Sequence, residues 1–157
     1  MHTEGDHKFL KALESIDFLN RYKSISDNYQ FEMSDRLHPQ DPKIVGEILK
    51  RLSYEAKYFK RERFFQLWAS GSSYNAALNL NLRMSLDLGR LDLLLAPVID
   101  GNVYGGSIHF YPKRFGLDPI PRPGFRCYQE FEEVFGRLIV VVEDMQQVLL
   151  PIADIKD

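Results

Sequence analysis

From Asn75 to Tyr111 leucines and polar residues alternate with a period of two, most strictly in L-N-L-N-L-R-M-S-L-D-L-G-R-L-D-L-L-L, residues 78–95. That period belongs to strands with one buried and one wet face. Gly89-Arg90 suits a two-residue hairpin turn, and Asp100-Gly101 suits a second one. Three strands are therefore expected at about 76–88, 91–99 and 103–111. A shorter one is expected at 64–69, where Phe64, Phe65, Leu67 and Trp68 lead into Gly71-Ser72-Ser73; a continued helix is the alternative there. Trp68 is read as a core residue.

Elsewhere the apolar period is three to four. Phe9, Leu10, Leu13, Ile16, Leu19 and Tyr22 form one stripe, predicting a helix at about 7–24 with Asp6 as its cap. Asp41 is the N-cap and Pro42 the first helical residue of a second helix, expected at about 42–60 on Val45, Ile48, Leu49, Leu52, Ala56 and Phe59. A third is expected at about 127–149 on Tyr128, Phe131, Phe135, Leu138, Val142, Met145 and Leu149. Gly136 and the β-branched run after Leu138 leave open a helix to Phe135 followed by a strand over 137–143. The expected fold is a single α+β domain over 1–157, an antiparallel meander of three to four strands covered on its inner face by these helices. Between the meander and the last helix, residues 112–124 hold four prolines and two glycines, so no regular element runs through. Phe115, Leu117, Ile120 and Phe125 would pin this loop to the body, or would serve with Arg114 and Arg122 as a stiff contact loop.

The hairpin turns imply a register. Leu88 would pair Leu91, Leu86 would pair Leu93 and Met84 would pair Leu95, all on one face. The opposite face would then carry Asp87 against Asp92, Asp92 against His109, and Ser85, Leu94 and Ser107 in one row, with Asn79, Asn81 and Arg83 continuing along the first strand. Opposed carboxylates repel, so something should offset them: an imidazolium at His109, Arg83, Arg90, a cation, or a partner's basic group. Pro97 cautions that a bulge would move this pairing.

Composition and charge narrow the classes. The net charge of −2 over 157 residues gives no electrostatic case for nucleic acid. Residues 43–63 are basic and 127–157 acidic, an imbalance that the fold can neutralise internally or use to steer a partner. RNA binding through 43–63 is disfavoured, because stacking aromatics are not expected along one sheet face there. The single Cys127 permits no intrachain disulfide, and the longest apolar run, Leu138–Val142, is far below the roughly 20 residues of a spanning helix. The N-terminus has no secretory pattern and His2 and His7 would fray there, so a cytoplasmic protein without membrane contact is expected. No phosphate loop, dinucleotide fingerprint, zinc motif or nucleophile elbow occurs.

In build, the strand series 78–88, 91–99 and 103–111 with its acidic row resembles small bacterial toxin-immunity proteins. The resemblance implies a non-enzymatic, cytoplasmic protein-binding module without a cofactor, which neutralises a toxin domain by binding it. Its contact residues would be Asp87, Asp92, His109, Arg83, Ser107, Tyr111, Arg114 and Arg122, with the two aspartates meeting basic groups of the toxin. The alternative is a small metal-dependent hydrolase or ligand-binding protein built on Asp87, Asp92 and His109, a chemically sensible set for a divalent ion.

Overall fold

The computed structural model describes residues 3–155. Four α-helices, α1 (Glu4–Ser15), α2 (Phe18–Asn28), α3 (Pro42–Arg51) and α4 (Tyr128–Leu149), pack with an antiparallel five-stranded sheet. The sheet comprises β1 (Tyr54–Phe59), β2 (Phe64–Ala69), β3 (Arg83–Ser85), β4 (Asp92–Leu95) and β7 (Gly106–Ser107), in spatial order 1-2-3-4-7. A two-stranded ribbon, β5 (Val98–Ile99) with β6 (Asn102–Val103), stands apart from it. This is the expected α+β class, and α4 runs unbroken through Gly136 and the β-branched residues. Burial of Phe131, Phe135, Leu138, Val142, Met145 and Leu149 outweighs their modest helix propensity.

Where the structure departs from the expected elements, local backbone chemistry explains it. The N-terminal helix is two helices. Asp17, in the left-handed region at φ 56°, turns the chain after Ile16 and accepts a bond from Asn20 Nδ2 at 2.9 Å. Thr3, not Asp6, caps α1; Asp6 is its reciprocal partner in a capping box. His7 lies within α1, while His2 is outside the described residues. Asp41 caps α3 as expected, its carboxylate accepting from the Lys43 N–H at 2.9 Å. But α3 stops at Arg51 rather than near 60. Ser53, at φ 67°, reverses the chain, and Tyr54–Phe59 becomes an edge strand paired along its whole length with β2. Leu52, Ala56 and Phe59 fit a helical stripe, but Tyr54, Ala56 and Tyr58 fit a strand equally well, and pairing decides.

The expected strand over 76–88 survives only as Arg83–Ser85. Its first half is a series of turns made by asparagine: Asn75 Oδ1 accepts from the Leu78 N–H, Asn79 Nδ2 donates to the Asn75 carbonyl, and Leu80 and Asn81 are left-handed. Its end, Asp87–Gly89, is a 3₁₀ turn with Leu88 at φ 56° and Gly89 at φ 71°. In the third strand, positive φ at Gly105 and Gly106 and a 3₁₀ segment over Ile108–Phe115 leave only Val103, in β6, and β7. The Asp100-Gly101 hairpin forms as expected, with both turn residues at positive φ and Val98 paired with Val103.

One face of the sheet is inner. Tyr58, Phe65, Met84 and Leu93 lie in a cross-strand row on that face. All but the half-exposed Tyr58 are buried in a core shared with Phe9, Leu13, Tyr22, Phe131 and Phe135. Arg51 Nη2 meets Glu132 Oε1 at 3.1 Å, one direct pairing of the basic segment with the acidic C-terminal helix. Among the described residues no helix is long and apolar enough to cross a membrane.

Candidate functional site: two halves of the outer sheet face

The outer face carries the row Lys57, Gln66, Arg83, Leu94 and Ser107 across all five strands. The pairing of Leu94 with Ser107 is the one expected. The pairing of β3 with β4 is shifted by two residues: Ser85, not Asp87, lies opposite Asp92, and Met84 lies opposite Leu93. A shift of two keeps every leucine on its face but changes every neighbour. The expected opposition of Asp87 and Asp92 therefore does not exist. Asp87 is exposed on the 3₁₀ turn. There it lines a cavity of about 600 Å³ with His38, Glu62, Arg63, Tyr58 and Leu88.

Residues 116–124 close over the β4–β7 half. The Leu91 N–H donates to the Pro123 carbonyl at 2.8 Å, Gly124 to Tyr29 at 2.7 Å, Phe125 to Gly89 at 3.0 Å and Ile120 to His109 at 3.1 Å. Ser26 Oγ donates to the Pro121 carbonyl at 2.5 Å. Phe125 is fully buried, Ile120 and Phe115 pack against the core, and Leu117 stays exposed. The proline-rich stretch is thus a strap tied to the body by its backbone, which meets the pinning expectation.

Beneath the strap Asp92 is only 7% exposed. Ser107 Oγ donates to its Oδ1 at 2.5 Å, and Arg122 Nη1 stands 3.8 Å from Oδ2. Burial raises the Asp92 pKa above the ordinary carboxylate value, against the opposing pull of Ser107, Arg122 and Arg90. His109 does not face Asp92 from a strand; it sits in the 3₁₀ segment with its ring 4.0 Å from that of Phe110. Burial, then Arg122 and Arg90, pull its pKa down to about 4, so it is neutral at pH 7 and is no imidazolium screening the aspartates. Among the described residues no three His, Cys, Asp or Glu side chains gather around a point that could hold a metal ion, so the expected Asp87–Asp92–His109 set is not assembled.

The other expected contact residues divide in the same way. Tyr111 is a core residue, 1% exposed, whose hydroxyl donates to the Leu95 carbonyl at 2.6 Å. Arg114 lies over the Tyr104 ring at 4.9 Å and 3.9 Å from Asp6, on the α1 side of the molecule. Ser107 and Arg122 are committed to Asp92. Only Arg83 stands on the open half, with its guanidinium 4.9 Å from the centre of the Phe64 ring.

That open half, β1 to β3, holds what the apolar pattern concealed. Phe59 and Phe64 stack at 4.7 Å with planes 14° apart, and Trp68 tilts against Tyr74 at 5.5 Å. Gln66 Nε2 donates to the Tyr74 hydroxyl at 3.2 Å, and Lys57 Nζ lies 5.1 Å from the Phe59 ring. Phe59, Phe64 and Trp68 are half-buried and lie outside the hydrophobic core, so Trp68 is not the core residue expected. Aromatic rings are thus aligned on one sheet face beside basic residues, contrary to expectation. Recognising 54–59 as a strand would have revealed them, since Lys57, Phe59, Phe64, Gln66 and Trp68 then share one parity.

The fold and this face define an α+β protein whose five-stranded sheet has helices on its inner side and an outer side half strapped and half open. No protein-family model, no curated protein and no solved structure matches the chain.

Proposed function

We propose that the chain is a non-enzymatic protein-binding module whose contact surface is the open outer face of β1–β3. The observation that carries this is the group Phe59, Phe64, Trp68 and Tyr74, held outside the core with Lys57 and Arg83 over its rings. Aromatic side chains rimmed by cations supply large apolar contact at low entropic cost, the composition of interface hot spots. A protein partner fits better than nucleic acid. The rings of Phe59 and Phe64 stack on one another, leaving fewer open ring faces than successive bases require.

The resemblance to toxin-immunity proteins supplies the partner class, a toxin domain captured by binding. With Asp92 buried, this face offers Lys57 and Arg83 beside the rings against a single carboxylate, Glu55 opposite Trp68, a small positive excess that suits an acidic rather than a basic toxin surface. The experiment is calorimetric titration of the chain with purified toxin domains that present an acidic surface. Phe64→Ala and Trp68→Ala should each weaken binding by roughly tenfold or more with an unchanged circular dichroism spectrum. Undiminished affinity in the double variant sinks this face as the contact surface. Tighter binding of a single-stranded RNA oligonucleotide than of any protein partner moves the reading to nucleic acid.

A further inference from the structure

A second constellation lies under the strap and is independent of the aromatic face. Three arginines converge there from three segments. Arg36 follows the 3₁₀ turn Met33–Asp35, Arg90 follows Asp87–Gly89, and Arg122 belongs to the strap. Their backbones are stitched together: Leu37 N–H donates to the Phe125 carbonyl at 2.9 Å, Leu91 N–H to the Pro123 carbonyl at 2.8 Å, and Arg90 bridges Gly124. Arg36 threads a slot between two glycines. A Cβ on Gly89 would stand 2.7 Å from Arg36 Cβ, and one on Gly124 would stand 3.0 Å from Arg36 Cδ. So the arginines are held together by close packing, although their like charges repel.

Their acceptors do not suffice. Arg36 Nε and Nη1 and Arg90 Nε are buried with no hydrogen-bond partner. The buried carboxylate among them, Asp92, already accepts from Ser107 and faces Arg122. Asp87 also acts on Arg90 but is exposed and screened by water. The Tyr22 hydroxyl, within electrostatic reach of Asp92 and Arg122, is buried and unpartnered too. Desolvation and the neighbouring Arg122 and Arg36 charges lower the Arg90 pKa, the signature of cations crowded without enough anion. A buried guanidinium N–H without an acceptor is costly, and guanidinium forks match tetrahedral oxyanions. Arg122 keeps 23% of its side chain exposed, which leaves an approach from solvent.

We infer that Arg36, Arg90 and Arg122 form a binding site for a phosphate group, either the free ion or a phosphomonoester. Ligand oxygens would take the unpaired Nε–H groups of Arg36 and Arg90, and Arg122 would turn from Asp92 to share the charge.

The test is thermal unfolding in inorganic phosphate against chloride at matched ionic strength. Phosphate is expected to raise Tm saturably where chloride does not, and Arg90→Gln and Arg122→Gln should each lose that rise. Phosphoserine run in parallel assigns the source: a rise equal to that with phosphate means the free ion, and a larger one means an ester. In the wild-type protein the Arg36 and Arg90 Nε–H resonances should shift during the same titration, a readout that stands even if a variant fails to fold. Equal Tm in phosphate and chloride, a rise retained in both variants, or unmoved Nε–H resonances would overturn the site.

Discussion

The two halves of the outer sheet face share one sheet, one parity and a single cross-strand row, yet they behave as different surfaces. On the β4–β7 half a charged residue, Asp92, is buried, and on the β1–β3 half the aromatic Phe59, Phe64 and Trp68 stay partly wet. The strap makes the difference. It brings Arg122 to Asp92 and ties Pro123, Gly124 and Phe125 to three other segments, so this half is closed by backbone hydrogen bonds. Among the described residues no such backbone-tied strap covers β1 and β2; Tyr74 packs on Trp68, and rings and cations shield one another instead. Sheet position alone therefore does not decide which polar residues face solvent; the nearest loop does.

Five substitutions probe that contrast. Gly89→Ala attacks the strap's anchor: positive φ and the close approach of Arg36 and Leu37 should together cost about 3 kcal/mol in urea unfolding. A loss of a few tenths would mean that the slot is loose. Asp92→Ala removes the buried acceptor of the Ser107 hydroxyl and the partner of Arg122 and should cost about 2 kcal/mol, whereas Asp87→Ala on the exposed turn should stay within about 0.5 kcal/mol. Equal effects of the two would erase the distinction between buried and open carboxylates.

His109 gives the covered half a pH signature. Between about 6.5 and 4 the unfolded chain protonates this histidine and the folded chain does not, so stability should fall as the pH drops through that window. The raised Asp92 pKa acts the other way, adding stability as pH falls toward 3.8, so the net slope reports which group dominates. His109→Gln should flatten the loss between pH 6.5 and 4, measured by urea midpoints at several pH values; an unchanged slope would place the acid sensitivity elsewhere. Trp68→Ala, on the open half, should cost the least among the apolar truncations, about 1 kcal/mol rather than the 3–5 of a core tryptophan. A core-sized loss would show that this face is closed in solution.

Much of the architecture was legible in the residues. Asp41-Pro42 starts α3, Asp100-Gly101 turns the ribbon, and the stripe from Tyr128 to Leu149 forms α4, because each signal acts within a few residues of itself. The candidate site was legible only in part. Arg83 and Asp87 are on the surface as expected, but Tyr111 is core, and His109 and Asp92 are not partners. The leucine alternation is blind to a slip of two, since Leu86, Leu91, Leu93 and Leu95 are buried in either register. Asparagine at 75, 79 and 81 spoke for turns, yet the alternating leucines between them carried the strand reading.

Local chemistry and hydrophobic parity thus determined the α+β class, the caps, one hairpin and which leucines are inside, because caps, turns and periodicity are properties of neighbouring residues. Only the tertiary structure decided that 54–59 is a strand, that Ser85 rather than Asp87 meets Asp92, and that a proline-rich strap carries Arg122 over it. Those outcomes depend on pairings between residues up to some 95 positions apart, such as Ser26 with Pro121, whose energies no local window contains.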